Sequence, residues 1–127
     1  MTKFYDLHLA IADILTDCAK SKTTICYSDL CDKLHYPGLR TIGQELEKVS
    51  LLTYEKYGVF LSVLVVIKET QETDNPMPGT GFFDMYFRKC SQQEQDWEAI
   101  AKQQREKAYA QDWGELADRI RSIIRKQ

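Results

Sequence analysis

Phe4, Leu7, Ile11, Ile14, Leu15 and Cys18 recur at intervals of three and four, the spacing of one face of an amphipathic helix, and so predict a helix over residues 2–19. Lys20-Ser21-Lys22 ends that pattern, and the β-branched and aromatic stretch Thr23-Thr24-Ile25-Cys26-Tyr27 predicts a short strand. Ser28 is placed to cap a second helix, because its hydroxyl can accept from a free N–H of the first turn; Leu30, Cys31 and Leu34 form the inner side. That helix is expected to end before Pro37-Gly38. Leu39, Ile42, Leu46 and Val49 predict a third helix that runs to Tyr57 and stops at a left-handed Gly58.

Residues 59–67 are apolar apart from Ser62 and mostly β-branched or aromatic, and predict a strand covered on both faces. Residues 68–80 turn polar and acidic, which predicts an exposed loop. For Gly81 to Phe87 both periods are possible: Phe83, Tyr86, Phe87 and Cys90 fit a helix, while Phe82, Asp84 and Tyr86 alternate with Phe83, Met85 and Phe87 as in a strand. Helix is favoured, since a strand apolar on both sides needs cover on both faces. Ser91 and Glu94 have the spacing of a capping box and predict a helix start, with Trp97, Ile100, Ala101 and Ala108 inside. Asp112-Trp113-Gly114-Glu115 predicts a break, followed by a last helix packing Leu116, Ile120, Ile123 and Ile124. The expected class is mainly α with a small β component: a winged-helix-like core over 1–67, an acidic loop over 68–80 and a helical C-terminal part over 81–127.

The chain has 127 residues, 43% hydrophobic and 28% charged, which suits one domain and argues against disorder. Its longest apolar run is far below the ~20 residues that span a bilayer, so no membrane role is expected. With 17 Lys and Arg against 19 Asp and Glu, no global basic excess draws it to nucleic acid. No signal-type segment opens the sequence, and Cys18, Cys26, Cys31 and Cys90 follow no disulfide or C-x-x-C spacing, so a cytoplasmic protein with reduced thiols is expected. Neither His8 nor His35 has a second ligand at metal-site spacing, and no phosphate-cradling or nucleotide motif occurs; the expectation is no metal, no cofactor and no catalytic residues.

Ile25-Cys26-Tyr27-Ser28-Asp29-Leu30, then Tyr36-Pro37-Gly38-Leu39-Arg40-Thr41-Ile42-Gly43, then a valine-rich run, resembles the DNA-binding domain of the O6-alkylguanine alkyltransferases and their alkyltransferase-like relatives. The resemblance covers residues 25–67. It implies a winged-helix-like core and matches Arg40 to the family's arginine that enters the duplex when a base is flipped out. Where that family carries its reactive cysteine and histidine, this chain reads Leu61-Ser62-Val63-Leu64-Val65, so alkyl transfer is excluded on chemistry.

Glu45, Glu47 and Glu55 on the third helix, with Glu69, Glu72 and Asp74 in the loop, form an acidic set suited to a basic protein partner. The sequence therefore points to a non-enzymatic protein-binding module, of the kind of a cytosolic inhibitor or immunity protein that neutralises a basic toxin such as a nuclease. The alternative is a nucleic-acid-binding winged-helix protein, alkyltransferase-like or regulatory, using Arg40, Lys48, Arg119, Arg121, Arg125 and Lys126. In either case all four thiols are expected to be reduced. Alkylation of the denatured, unreduced protein should add four labels by mass spectrometry; two or fewer would mark a disulfide.

Overall fold

Apolar stripes in the sequence become helices: α1 (Asp6–Ser21), α3 (Ile42–Tyr57) and, at the far end of the chain, α6 (Leu116–Lys126). The computed structural model describes residues 3–90 and 96–127. Residue 2 of the first expected helix and the Ser91 and Glu94 capping box lie outside them. Between these three stand β1 (Ile25–Cys26), α2 (Tyr27–Leu34), β2 (Val65–Val66), α4 (Thr80–Cys90) and α5 (Trp97–Ala110). The described residues are thus mainly α with one two-stranded sheet, and no described helix is long and apolar enough to cross a membrane.

The local signals account for most boundaries. Gly58 ends α3 in the left-handed region at φ 74°, where a residue without a Cβ bears no steric cost, and its N–H returns to the Tyr54 carbonyl at 2.8 Å. Gly81 to Phe87 is helical, with Phe82, Phe83, Met85 and Tyr86 on the buried side of α4. Asp96 caps α5 by accepting from the N–H groups of Glu98 and Ala99 at 3.0 and 3.2 Å. The expected break at 112–115 is present, and the Trp113 indole inside it donates to the Ala108 carbonyl at 2.8 Å.

Some expectations need correction. Leu39, expected on the inner stripe of the third helix, lies in the turn before it and is exposed, since α3 starts only at Ile42. Ser28 does not cap α2: the helix already begins at Tyr27 with Cys26 at the cap position, so the predicted five-residue strand shrinks to Ile25–Cys26. The predicted strand over 59–67 is, for the most part, not a strand. Leu61–Leu64 forms a 3-10 turn, and only Val65–Val66 pairs, parallel to β1, with Ile25 opposite Val65 and Cys26 opposite Val66. The burial was legible, since every residue from Val59 to Val66 is buried, but sheet pairing was not available. β1 is only two residues long because Tyr27 opens a helix, so the remaining backbone must find its partners elsewhere.

Side chains supply them. The Phe60 N–H donates to Gln104 Oε1 at 3.1 Å, the Leu61 N–H to Thr53 Oγ1 at 3.2 Å and the Ser62 N–H to Ser50 Oγ at 2.7 Å. Thr53 Oγ1 in turn donates to the Val59 carbonyl at 2.7 Å. The turn packs against α1, α3 and α5, and Phe60 is stacked on Tyr54 with ring centroids 4.3 Å apart. Polar residues of α3 and α5 thus hold a backbone that a longer sheet would otherwise have held.

The buried Gln104 is consequently a structural residue. Gln104→Met, which keeps the volume but leaves the Phe60 N–H unpaired, should lower urea-unfolding stability by about 1–3 kcal/mol. Gln103→Met, at the exposed neighbouring position, should stay within about 0.5 kcal/mol.

Candidate functional site

The segment 36–41 links α2 to α3 as a tight turn. The Gly38 carbonyl accepts from the N–H groups of Thr41 and Ile42 at 2.8 and 2.9 Å, and the Tyr36 hydroxyl meets Thr41 Oγ1 at 2.7 Å. A Cβ on Gly38 would collide with Thr41 Oγ1 and the Tyr36 ring, so glycine is what lets the turn close. Its tip presents Leu39, 55% exposed, and the exposed Arg40. Arg40 has no carboxylate partner among the described residues.

Beside this tip lies a cavity of about 470 Å³, between the first turns of α3 and α4. Arg40 and Leu39 stand at α3, Gly79, Thr80 and Gly81 at α4, Tyr27 at the start of α2, and Ser62 in the 3-10 turn. Ile42, Leu46, Phe82 and Met85 give it apolar wall, while Glu47 and Arg88, which form an ion pair with each other, and Asp84 add polar groups. The Gly79 N–H donates to the Tyr27 hydroxyl at 2.9 Å, joining the end of the loop to α2. Burial pushes the Tyr27 phenol up, against the smaller lowering effect of the Gly79 N–H, so it stays protonated at neutral pH. A volume of this size lies within the usual range for small-ligand sites.

The acidic loop is less free than its composition suggests. After a 3-10 turn at Lys68–Thr70, its ends are tied by the Ile67 N–H to the Met77 carbonyl at 2.8 Å. Arg105, buried on α5, donates to the Pro76 carbonyl at 3.0 Å and to Asn75 Oδ1 at 2.8 Å, and Gln71 donates to the Thr24 carbonyl at 3.2 Å. These bonds fix where the loop delivers Gly79 and Thr80 to the cavity. Glu69, Glu72 and Asp74 remain exposed on it, with no ion-pair partner among the described residues.

The carboxylates of α3 are placed differently from one another. Glu45 does not belong to an open acidic face: it points under α1, where its Oε1 meets His8 Nε2 at 2.9 Å and Lys48 Nζ at 3.3 Å. Glu47 is paired with Arg88, and Glu55 is exposed, 4.0 Å from Lys56. On α6, Arg119 reaches Glu115 at 3.5 Å and lies over the Tyr57 ring, and Arg121 reaches Asp118 at 3.0 Å. Arg125 and Lys126 are exposed in its last turn. Of the basic residues named from the sequence, only Arg40 lines the cavity. Tyr27, Ser62, Gly79 and Arg88 were not singled out as site residues, because no local spacing links residues that meet only across the fold.

His8 is completely buried, and both its ring nitrogens are engaged. Nδ1 accepts from the Tyr5 N–H at 2.8 Å, which leaves the proton on Nε2 to be donated to Glu45. His35 ends α2 in the left-handed region at φ 52°. Among the described residues no group of three His, Cys, Asp or Glu is arranged to hold a metal ion, and the four cysteines are free. Compared with family models, with curated proteins and with solved structures, the chain matches none.

Glu45 makes the link between α1 and α3 dependent on pH. Burial opposes its charge, but hydrogen bonds from His8 and Lys48, helped by the Lys48 ammonium, outweigh burial and hold the carboxyl below its ordinary value. A carboxyl lowered on folding contributes stability above its unfolded pKa, about 4.3, and loses it as pH falls through the folded value. The stability difference between wild type and Glu45→Gln, from urea midpoints, should therefore be largest near about pH 6 and shrink steadily towards about pH 3. A difference independent of pH would show that the Glu45 charge carries none of it.

Proposed function

We propose that this protein is a non-enzymatic nucleic-acid-binding module of the winged-helix-like, alkyltransferase-like kind, whose cavity receives one unpaired nucleotide of a duplex. The observation that carries this reading is Arg40: an exposed guanidinium without a carboxylate partner among the described residues, on a turn braced by Gly38 and Thr41, at the mouth of a cavity large enough for a base. The first turns of α3 and α4, whose leading N–H groups favour negative charge, flank the same mouth. Repulsion between phosphates and the carboxylates of α3 would count against this reading. It weakens now that Glu45 is turned under α1 and Glu47 is neutralised by Arg88.

Binding is favoured over group transfer by the chemistry of Ser62. It lies in the stretch that matches the reactive-cysteine region of the resembling family, and a serine hydroxyl is a weak nucleophile without an adjacent base. Its hydrogen-bond partner is Ser50, which supplies no basic nitrogen or carboxylate.

A second reading rests on a different observation. Glu69, Glu72 and Asp74 are exposed on a loop pinned at several points, a fixed negative surface that would steer a basic protein partner, as an inhibitor or immunity protein does for a nuclease.

One binding series distinguishes the two. A labelled duplex with a single unpaired nucleotide should bind at low salt, measured by fluorescence anisotropy, with an affinity that falls as salt rises. Arg40→Ala should weaken it by at least ~1 kcal/mol, about five-fold, while replacing Glu69, Glu72 and Asp74 by their amides should not weaken it. No duplex binding at low salt, or binding indifferent to Arg40, would overturn the nucleic-acid reading. The triple amide variant losing capture by a basic nuclease would then favour the second.

A further inference from the structure

Ser62 is 6% exposed, and the cavity between α3 and α4 is lined by it. Its hydrogen bonding is one-sided. The Ser62 N–H donates to Ser50 Oγ at 2.7 Å, and Ser50 spends its single hydroxyl proton on Ser62 Oγ at 2.6 Å. The Ser62 hydroxyl therefore accepts within the protein and has its own proton left over. No group among the described residues accepts that proton. Ser50 is fully buried on α3, and its neighbour Thr53 is committed to the Leu61 N–H and to carbonyls of residues 50 and 59, so the polar core behind Ser62 is closed. The remaining direction for the proton is the cavity.

A second hydroxyl is in the same condition. Tyr27 accepts from the Gly79 N–H, and its phenolic proton has no acceptor among the described residues. Gly79 makes this approach possible, since a Cβ there would lie 3.0 Å from the Tyr27 hydroxyl. The cavity lining thus includes two neutral donors whose protons find no acceptor among the described residues. Ser62 is buried and Tyr27 half-buried, and a buried donor left unpaired is costly, so an occupant gains by bringing an acceptor to Ser62 first and to Tyr27 beside it.

The charge of the lining decides what kind of acceptor fits. Glu47 and Asp84 both line the cavity, Arg88 is already spent on Glu47, and Ile42, Leu46, Phe82 and Met85 make much of the wall apolar. An anion seated deeply would meet carboxylates and desolvating hydrocarbon; a flat, neutral ring bearing carbonyl oxygen meets neither penalty. We propose that Ser62, with Tyr27 beside it, is the specificity-determining residue of this cavity and selects a base presenting a carbonyl oxygen over one that lacks it. Arg40, at the rim, is left to the phosphate backbone, so the rim provides affinity and the floor provides choice.

This inference rests on the nucleic-acid reading, and its test separates the two. Three labelled duplexes are compared by anisotropy, identical except at one unpaired position that carries hypoxanthine, purine or an abasic site. Hypoxanthine and purine share the ring system and differ in the C6 carbonyl and the proton at N1. Wild type should prefer the hypoxanthine duplex by roughly ten-fold, the scale of leaving a buried donor unpaired. Ser62→Ala should reduce that preference to within about two-fold and leave affinity for the abasic duplex unchanged, because the phosphate contacts are intact. Tyr27→Phe, which keeps the ring, serves as an independent variant should Ser62→Ala unfold by circular dichroism; it should lower the preference in the same sense. Equal wild-type affinity for hypoxanthine and purine, or a preference untouched by both variants, would overturn the assignment while Arg40-dependent binding still upheld the broader reading. Binding of none of the three duplexes would overturn both.

Discussion

The backbone of residues 59–66 has to be buried at the centre of the molecule with almost no sheet to satisfy it. Each buried N–H or C=O without a partner costs about as much as a lost hydrogen bond, so this segment dictates which polar residues must stand inside the neighbouring helices. Ser50 and Thr53 on α3 and Gln104 on α5 meet that demand from two sides. Their positions are fixed by the hydrogen bonds as much as by packing, which is why these three polar side chains are buried beside Phe60, Leu61, Val63 and Leu64.

The same constraint builds the cavity. Because Ser50 serves the Ser62 backbone and also donates to its hydroxyl, Ser62 is held on the cavity lining with one proton unspent. The opposite wall is set by a chain of contacts running the other way. Arg105 on α5 holds the 75–76 carbonyl and amide groups, the loop then delivers Gly79 under the Tyr27 hydroxyl, and Thr80 opens α4. α5, whose described residues do not line the cavity, thus positions both its floor and one side.

Charge is distributed with similar economy. The sequence places three glutamates on α3, yet one is engaged by a buried histidine and a lysine and another by Arg88. The exposed pair of Glu47 with Arg88 adds little to stability, about 0–1 kcal/mol, but it alters what the surface presents. The helix beside Arg40 is far less negative to a ligand than its composition implies. The open negative surface is instead the loop bearing Glu69, Glu72 and Asp74.

Helical periodicity in the sequence was enough to place α1, α3 and α6, and the left-handed glycine at 58, the polar loop and the break at 112–115 were readable from residue chemistry alone. Such signals are local: a helix satisfies its own backbone, so its apolar stripe suffices to define it. Residues 59–66 were read correctly as buried, Ile67 being exposed, and 59–67 incorrectly as a long strand, because burial is a property of the side chains while strand pairing needs a partner of matching length. β1 ends where Tyr27 begins a helix, and only the folded molecule reveals it. The site divides in the same way. Arg40 was visible as a cation on a turn, whereas Tyr27, Ser62, Gly79 and Arg88 are brought together from four separate segments, and the pairing of Glu45 with His8 spans two helices. The chemistry of each side chain is written in the sequence; which hydroxyl keeps a free proton, and which carboxylate loses its surface, is decided by the tertiary hydrogen bonds that satisfy the others first.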